Sequence, residues 1–400
     1  MATAVISAYN VANTPDYGGH FWVYLQYAHG LRRLGCEVYW LERLSRDDRR
    51  PNASTAAATF LRRLERFGFP GRAILYETDS RDDRLRFIGM SETAARRVFD
   101  RADLLLNFHY AIGPELLSRF RRTALVDIDP GLLQFWISRG QLQVPRHDVY
   151  LTIGETVGTP AARFPDCGLS WKHIRPPVCL DLWPYRYEPE SRRFTTVSSW
   201  LGGEYVTEDE RVLLENDKRV SFLQFADLPS HTPAEIELAL YFKRTPNAPD
   251  AGDRHWLEGK GWRVRHALDV AGTPDNYRAY IAASRGEFSC VKPSCVYFQN
   301  AWVSDRTLCY MASGKPAVVQ GTGPSKFLPS GAGMHRFSTV AEAAEALATV
   351  EADYERECRA AREIAEASFD ARIVLAELLD HALSESAAAE IARPRAGAPG

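Results

Sequence analysis

Residues 302–323 read WVSDRTLCYMASGKPAVVQGTG. Ser304 followed by Asp305 is an N-cap with an acid in the first turn, a pair that satisfies the free N–H groups of a helix start and complements its dipole. Leu308, Met311 and Ala312 fall on one face at helical spacing, Gly314 stands where a left-handed residue ends a helix, and Pro316 cannot continue one. The spacing predicts a helix over 305–313, about two and a half turns long. Ala317-Val318-Val319-Gln320 predicts a buried parallel strand, and Gly321-Thr322-Gly323 a loop at its carboxyl end. In open α/β sheets ligands bind at those carboxyl ends. The helix start, with Ser304, Asp305, Arg306 and Thr307 around it and Gly323 in the adjoining loop, is therefore an expected site for an anion such as a pyrophosphate, with Asp305 available to sugar hydroxyls. The plainer alternative makes Asp305 only a dipole partner and Arg306 a solvated surface group.

The same alternation runs outward in both directions. AVISAY (4–9), CEVYWL (36–41), RAILYE (72–77), DLLLNF (103–108), TALVDID (123–129) and VYLTIGE (149–155) predict strands, with helices from Phe21, around 54–67, over 91–101 and from Pro114. The segment 175–191, RPPVCLDLWPYRYEPES, holds four prolines and no period, and reads as a linker. Beyond it FTTVSSW (194–200), RVSFLQF (219–225), WRVRHAL (262–268) and EFSCVK (287–292) predict strands, while PAEIELALYF (233–242) and PDNYRAYIAAS (274–284) predict helices. Two closing helices are expected, from Val340 to about Ser368 and from Ala371 to about Leu383. The division is an N-terminal Rossmann-like domain over 1–178, a C-terminal one over 179–385, and a disordered low-complexity tail over 386–400.

Composition narrows the class. Apolar residues make up 45% and charged residues 25% of 400, with a net charge of −2, which gives no support for a nucleic-acid or membrane-surface partner. The N-terminus lacks the basic and apolar regions of a signal peptide, and no stretch reaches the roughly eighteen apolar residues of a membrane span. Seven scattered cysteines, with no CxxC and no His cluster, predict a reduced, cytoplasmic protein without a structural zinc. Asp127-Ile128-Asp129 has the letters of a metal motif but ends a strand of the first half, remote from the expected diphosphate, so no metal site is assigned.

Other residues fall into place beside the quoted stretch. Glu287 opens and Lys292 closes the preceding strand run, and Lys218 is a further cation. Gly18-Gly19 follows the first strand and precedes a helix, another place where backbone can approach phosphate. Ser199 and Trp200 end the first strand of the second half and face the same pocket, or lie in the core. A glycine loop on one half and a helix start on the other point to a nucleoside diphosphate held between them.

With these residues in view, the layout resembles the GT-B glycosyltransferases, whose two Rossmann-like domains face each other across a cleft with C-terminal helices packing back. SDRTLCYMASGKPAVVQGTG and GAGMHRFSTVAEAAEAL resemble the family-four-type and spore-maturation-protein-like groups, as do TTVSSW, DKRVSFLQFADLP, VDIDPG and YLTIGE. The resemblance implies a nucleotide-sugar donor (UDP-, TDP- or GDP-linked) as substrate, no cofactor, no metal, a small-molecule or glycan acceptor, and a monomer or homodimer. Many retaining members carry a second glutamate where this chain has Cys309, so stereochemistry does not transfer and Asp305, one turn earlier, is the residue left for ribose binding.

Transfer from a nucleoside diphosphate requires charge stabilisation of the leaving group, expected from Arg306 with Lys218 or Lys292. It also requires placement of the acceptor, with His20, His109 and Asp129 as candidate bases at strand ends. Rival readings are a sugar-nucleotide epimerase and a catalytically silent nucleotide-sugar-binding protein on the same scaffold. No GxGxxG opens a helix after the first strand, against a dehydrogenase, and Gly314-Lys315 is followed by Pro, against a P-loop.

Overall fold

A computed structural model of the chain describes residues 1–45, 53–78, 85–203, 205–208, 211–242 and 250–384; the expected tail at 386–400 lies outside them. The first eight strands are β1 (Thr3–Ser7), β2 (Glu37–Arg43), β3 (Ala73–Thr78), β4 (Leu85–Ile88), β5 (Leu104–Asn107), β6 (Thr123–Asp127), β7 (Val149–Thr152) and β8 (Trp171–His173). They form one sheet in the order β4-β3-β2-β1-β5-β6-β7-β8, parallel except for the β3–β4 pair. The second half holds β9 (Arg193–Ser199), β10 (Tyr205–Glu208), β11 (Arg211–Glu215), β12 (Glu235–Tyr241), β13 (Arg263–His266), β14 (Gly286–Ser289), β15 (Ala317–Gln320) and β16 (Met334–Phe337). Six of these make a parallel sheet, β13-β12-β9-β14-β15-β16, while β10 and β11 pair as a separate antiparallel hairpin. Strand order reverses at β1/β5 in one sheet and at β9/β14 in the other, and such switch points open the crevices that hold ligands.

Two elements take the opposite type from the sequence reading. PAEIELALYF is the interior strand β12, between β13 and β9, not a helix: Ile236, Leu238 and Leu240 lie in one apolar cluster, and Ala239 on the opposite face in another. Burial on both faces overrides the helical preference of Glu, Leu and Ala. Glu237 is buried within it and accepts from the Tyr280 hydroxyl at 2.9 Å. RVSFLQF is helix Lys218–Gln224, not a strand, with Ser221 and Phe222 turned inward. Short apolar runs carry no decisive period, and this one packs as a helix on Trp200. The expected helix 305–313 is found as Asp305–Ala312, with the Ser304 hydroxyl accepting from the Arg306 N–H at 3.3 Å. The long closing helix is two, Val340–Ala352 and Tyr354–Ile364, followed by a π-helical turn and helix Ala371–Leu383, which packs back on helix Gly18–Arg33.

That helix Gly18–Arg33 joins the halves. Phe21, Trp22, Tyr24, Leu25 and Tyr27 are buried in a core cluster that also contains Tyr277, Ile281, Leu308 and Met311 from the second half. The Trp22 indole N–H donates to the Pro274 carbonyl at 2.9 Å, and Gln26 accepts from the Cys179 N–H at 2.8 Å. Gly18 and Gly19 are the contact points of its first turn. A Cβ on Gly18 would lie 2.3 Å from the Thr273 carbonyl oxygen, and one on Gly19 would lie 2.7 Å from the Tyr277 ring. Gly18→Ala is therefore expected to push the halves apart and to cost about 1–3 kcal/mol in urea unfolding. Gly113→Ala, where a Cβ meets nothing, serves as the control and should be near neutral.

Candidate active site in the cleft between the halves

The carboxyl ends of both sheets supply the cleft. On the first half, the loop after β1 brings Tyr9 and helix Gly18–Arg33 brings His20. The segment after β5 brings His109 and Tyr110, and the turn after β6 brings Asp129. On the second half, Ser199 ends β9, Lys218 opens its helix, Lys292 lies just before helix Pro293–Phe298, and Asp305 opens its own helix. Charge interactions link some of these residues. Asp129 acts on His20, Tyr24 and Tyr110 from its own half and on Cys295 from the other. Asp305 acts on Lys218, and on the buried Tyr24 and Tyr27 of the first half.

His20 is arranged to accept a proton. Its Nε2 lies 2.6 Å from the Tyr9 carbonyl oxygen. A carbonyl only accepts, so Nε2 carries the hydrogen and Nδ1 carries the lone pair. Burial lowers its pKa, against the opposing pulls of the Tyr9 carbonyl and the Asp129 charge. Asp129 itself is exposed.

His109 differs. It is buried, its Nδ1 accepts from the Ala111 N–H at 3.2 Å, and its Nε2 therefore donates to the Ser7 hydroxyl at 2.8 Å. Both nitrogens are occupied by the protein and burial holds the ring down to about 4, so His109 is a structural histidine and not the base the sequence offered. Asp127 is likewise internal: its carboxylate accepts from Gln134, from Thr152 and from the Asp129 N–H.

On the donor side the cations divide. Arg306 is buried and committed: Nε meets Glu287 Oε1 at 2.7 Å, Nη1 the Val197 carbonyl at 2.9 Å, and Nη2 the Ser289 hydroxyl at 2.8 Å. The expected anion-binding Arg306 and donor-site Glu287 thus form an internal pair beneath the cleft, because the side chain runs back onto β9 and β14. Lys218 keeps part of its surface open, yet the enclosing walls, with Arg306 and Lys292 nearby, push its ammonium down to about 7. Asp305 is half-buried, and burial raises its carboxyl against the pulls of Arg306 and Lys218. Ser304 and Thr307 are buried, Ser304 as the cap. Trp200 belongs to the core: it is fully buried among Phe222 and Phe242, with its indole N–H on Asp253 at 2.8 Å. Gly323 seats the loop beside it, since a Cβ there would lie 2.9 Å from the Gln299 carbonyl oxygen. In both halves these glycines let backbone pass close to protein.

Sequence reasoning missed three contributors. Tyr9 fixes the His20 tautomer through a backbone carbonyl, which no side-chain pattern announces. Tyr110 follows His109 at a strand end, a position that could have marked it. The β10–β11 hairpin crosses from the second half to the first: Val206 packs with Leu132, Phe135, Val157, Phe164 and Phe298, and Gln141 Nε2 donates to the Thr207 carbonyl at 2.8 Å. Among the described residues no group of three or more His, Cys, Asp or Glu is placed to hold a metal ion, and no helix is long and apolar enough to cross a membrane.

The sequence matches no protein-family model and no curated protein. Solved structures do match over nearly the whole chain. Sucrose-phosphate synthase from Thermosynechococcus elongatus is 12% identical with a TM-score of 0.58, covering 97% of this chain and 100% of that one. HepE from Anabaena, in complex with UDP and glucose, is 12% identical with a TM-score of 0.54, covering 95% and 100%. An alpha-glucosyltransferase in complex with UDP and a 13-mer DNA containing a central A:G mismatch is 12% identical with a TM-score of 0.57, covering 95% and 98%.

The buried pair has a measurable signature. Arg306→Ala leaves the buried Glu287 carboxyl without its partner and is expected to cost about 3–5 kcal/mol of stability in chemical denaturation. The double change Arg306→Met with Glu287→Leu should recover most of that loss. The two Rossmann-like sheets with their carboxyl ends turned to one cleft, and the closing helix that returns to the first half, make this the GT-B fold of those glycosyltransferases.

Proposed function

We propose that the protein is a glycosyltransferase that moves a sugar from a nucleoside-diphosphate donor to a hydroxyl of a small-molecule or glycan acceptor. The observation that supports this reading is that Asp129, whose charge acts on His20, also acts on Cys295 of the other half together with Lys218 and Lys292, in a GT-B fold. Charge that builds on the departing diphosphate meets Lys218 and Lys292 and the N–H groups capped at Ser304. Asp305 accepts hydrogen bonds from sugar hydroxyls of the donor. On the opposite wall, His20 Nδ1 takes the proton of the acceptor hydroxyl as it attacks the anomeric carbon, and Asp129 stabilises the imidazolium that forms. The UDP bound by two of the structural neighbours makes UDP-sugars the first donors to try.

The test is nucleotide release from a panel of UDP-, TDP- and GDP-sugars, with and without candidate acceptor hydroxyls. Acceptor-dependent release is expected. Conversion of one donor sugar into another without acceptor would replace this reading by an epimerase, and nucleotide binding with no turnover by a silent binding protein. Because burial lowers the His20 pKa, the acidic limb of the rate profile should lie below 6.5, the ordinary histidine value. It should vanish, with rate, in His20→Gln.

Nucleotide binding carries its own pH dependence. Lys218 is cationic below about 7 and neutral above it. A bound diphosphate favours the cation, so binding at pH above 7 should take up a proton and weaken as pH rises. Calorimetry in two buffers of different ionisation enthalpy reads that uptake, and Lys218→Gln should abolish it.

A further inference from the structure

The turn that carries Asp129 is held by the other half of the molecule. Asn300 is buried at 1% exposure, on the segment between helices Pro293–Phe298 and Asp305–Ala312. Its Nδ2 donates to the Pro130 carbonyl at 2.6 Å, and its Oδ1 accepts from the Trp302 N–H at 3.1 Å. The residues on either side, Gln299 at φ 51° and Ala301 at φ 57°, stand in the left-handed region that residues other than glycine seldom occupy. Such a conformation persists where its surroundings over-determine it, and strain of this kind collects at functional sites. Here the Ala301 N–H donates to the Thr322 carbonyl at 2.9 Å, the Thr322 hydroxyl to the Trp302 carbonyl at 2.7 Å, and Gly323 packs flat against Gln299.

On the receiving side, the Asp129 and Gly131 N–H groups are taken up within the first half, by Asp127 and Gln134. The Pro130 carbonyl between them goes to Asn300. The strained loop of one half thus brings the buried Asn300, which also meets Cys295 of its own half, onto a backbone acceptor of the other, one residue from Asp129. We propose that Asn300 is a positioning residue: through the Pro130 carbonyl, the C-terminal half holds the Asp129 turn beside His20, so that the acceptor wall is complete only when the halves are docked. The proposal rests on the functional reading above for what Asp129 and His20 do there.

His20 is faced by the Tyr9 carbonyl, the Tyr24 ring and the Asp129 charge. Asp129 favours its protonated form, so loss of the turn must lower the His20 titration midpoint. The test is NMR titration of histidine-labelled protein, with His20 assigned by His20→Gln, in wild type, Asn300→Leu, Asn300→Asp and Asp129→Asn. Asn300→Leu keeps the volume and removes the amide donor; Asn300→Asp keeps the shape and sets a carboxylate against the carbonyl. Asn300→Leu is expected to lower the midpoint as far as Asp129→Asn does, and Asn300→Asp, which adds a carboxylate of its own beside the turn, less far. Binding of UDP, measured in parallel to show an intact fold and donor site, should stay within about threefold of wild type, while kcat for nucleotide release falls about tenfold or more at little-changed donor KM.

A folded Asn300→Leu protein with the wild-type His20 midpoint overturns the proposal and leaves Asn300 a packing residue. A wild-type protein that releases nucleotide from no donor overturns the glycosyl-transfer reading instead, and the titration still decides whether Asn300 places Asp129.

Discussion

The arrangement depends on one contact: the first turn of helix Gly18–Arg33 lying directly on the backbone of the second half. Two successive glycines make that approach possible, with room for no side chain between the turn and the Thr273 carbonyl or the Tyr277 ring. Once the turn is seated, the aromatic face behind it is buried together with the helices of the second half in a single apolar cluster. His20 rides on that same turn, two residues from Gly18, so the proton acceptor is fixed relative to the second half by packing and not by the loop alone. Hydrophobic burial here sets the distance across which chemistry would occur.

A second group of contacts closes the far side. The β10–β11 hairpin lies on helix Leu132–Ser138, and its root is tied by Asp217, whose carboxylate accepts from the Gly202 and Gly203 N–H groups at 2.6 and 3.1 Å. Lys218 is the next residue. On the same edge, Glu155 of the first half accepts from the Lys326 N–H at 2.8 Å and from the Ser325 hydroxyl. The cleft is therefore walled by glycine-permitted packing at one end and by polar and apolar clasps at the other. The charged residues of interest sit between, where desolvation strengthens every interaction they make.

Much of the fold was legible because α/β units write themselves in alternation. The cap at Ser304, the stop at Gly314 and Pro316 and the strand Ala317–Gln320 follow from local chemistry, and the structure has each of them. Local chemistry fails where tertiary burial decides: β12 is rich in helix formers yet buried on both faces, and helix Lys218–Gln224 looks like a strand. The site was legible as a location more than as a set of roles. Strand-end reasoning offered His20 and Asp129 in the first half and Lys292 in the second, the helix cap offered Asp305, and Lys218 entered only as a further cation. Such reasoning could not see that the Arg306 guanidinium turns back into the sheet, that the Ala111 N–H uses the lone pair of His109, or that glycines beside a cleft serve protein neighbours. Those depend on side-chain direction and on residues distant in sequence. Asn300 is the extreme case, a polar letter with no motif around it, meaningful only through a carbonyl 170 positions away.

The Arg306–Glu287 pair carries a consequence for the history of such a chain. Each member is buried, and among the described residues each makes its ion pair with the other alone. A single substitution at either position passes through a state with a bare charge in the core, while a paired replacement does not. Descendants of this sequence should therefore keep both residues or lose both, and the two positions should behave in evolution as one character.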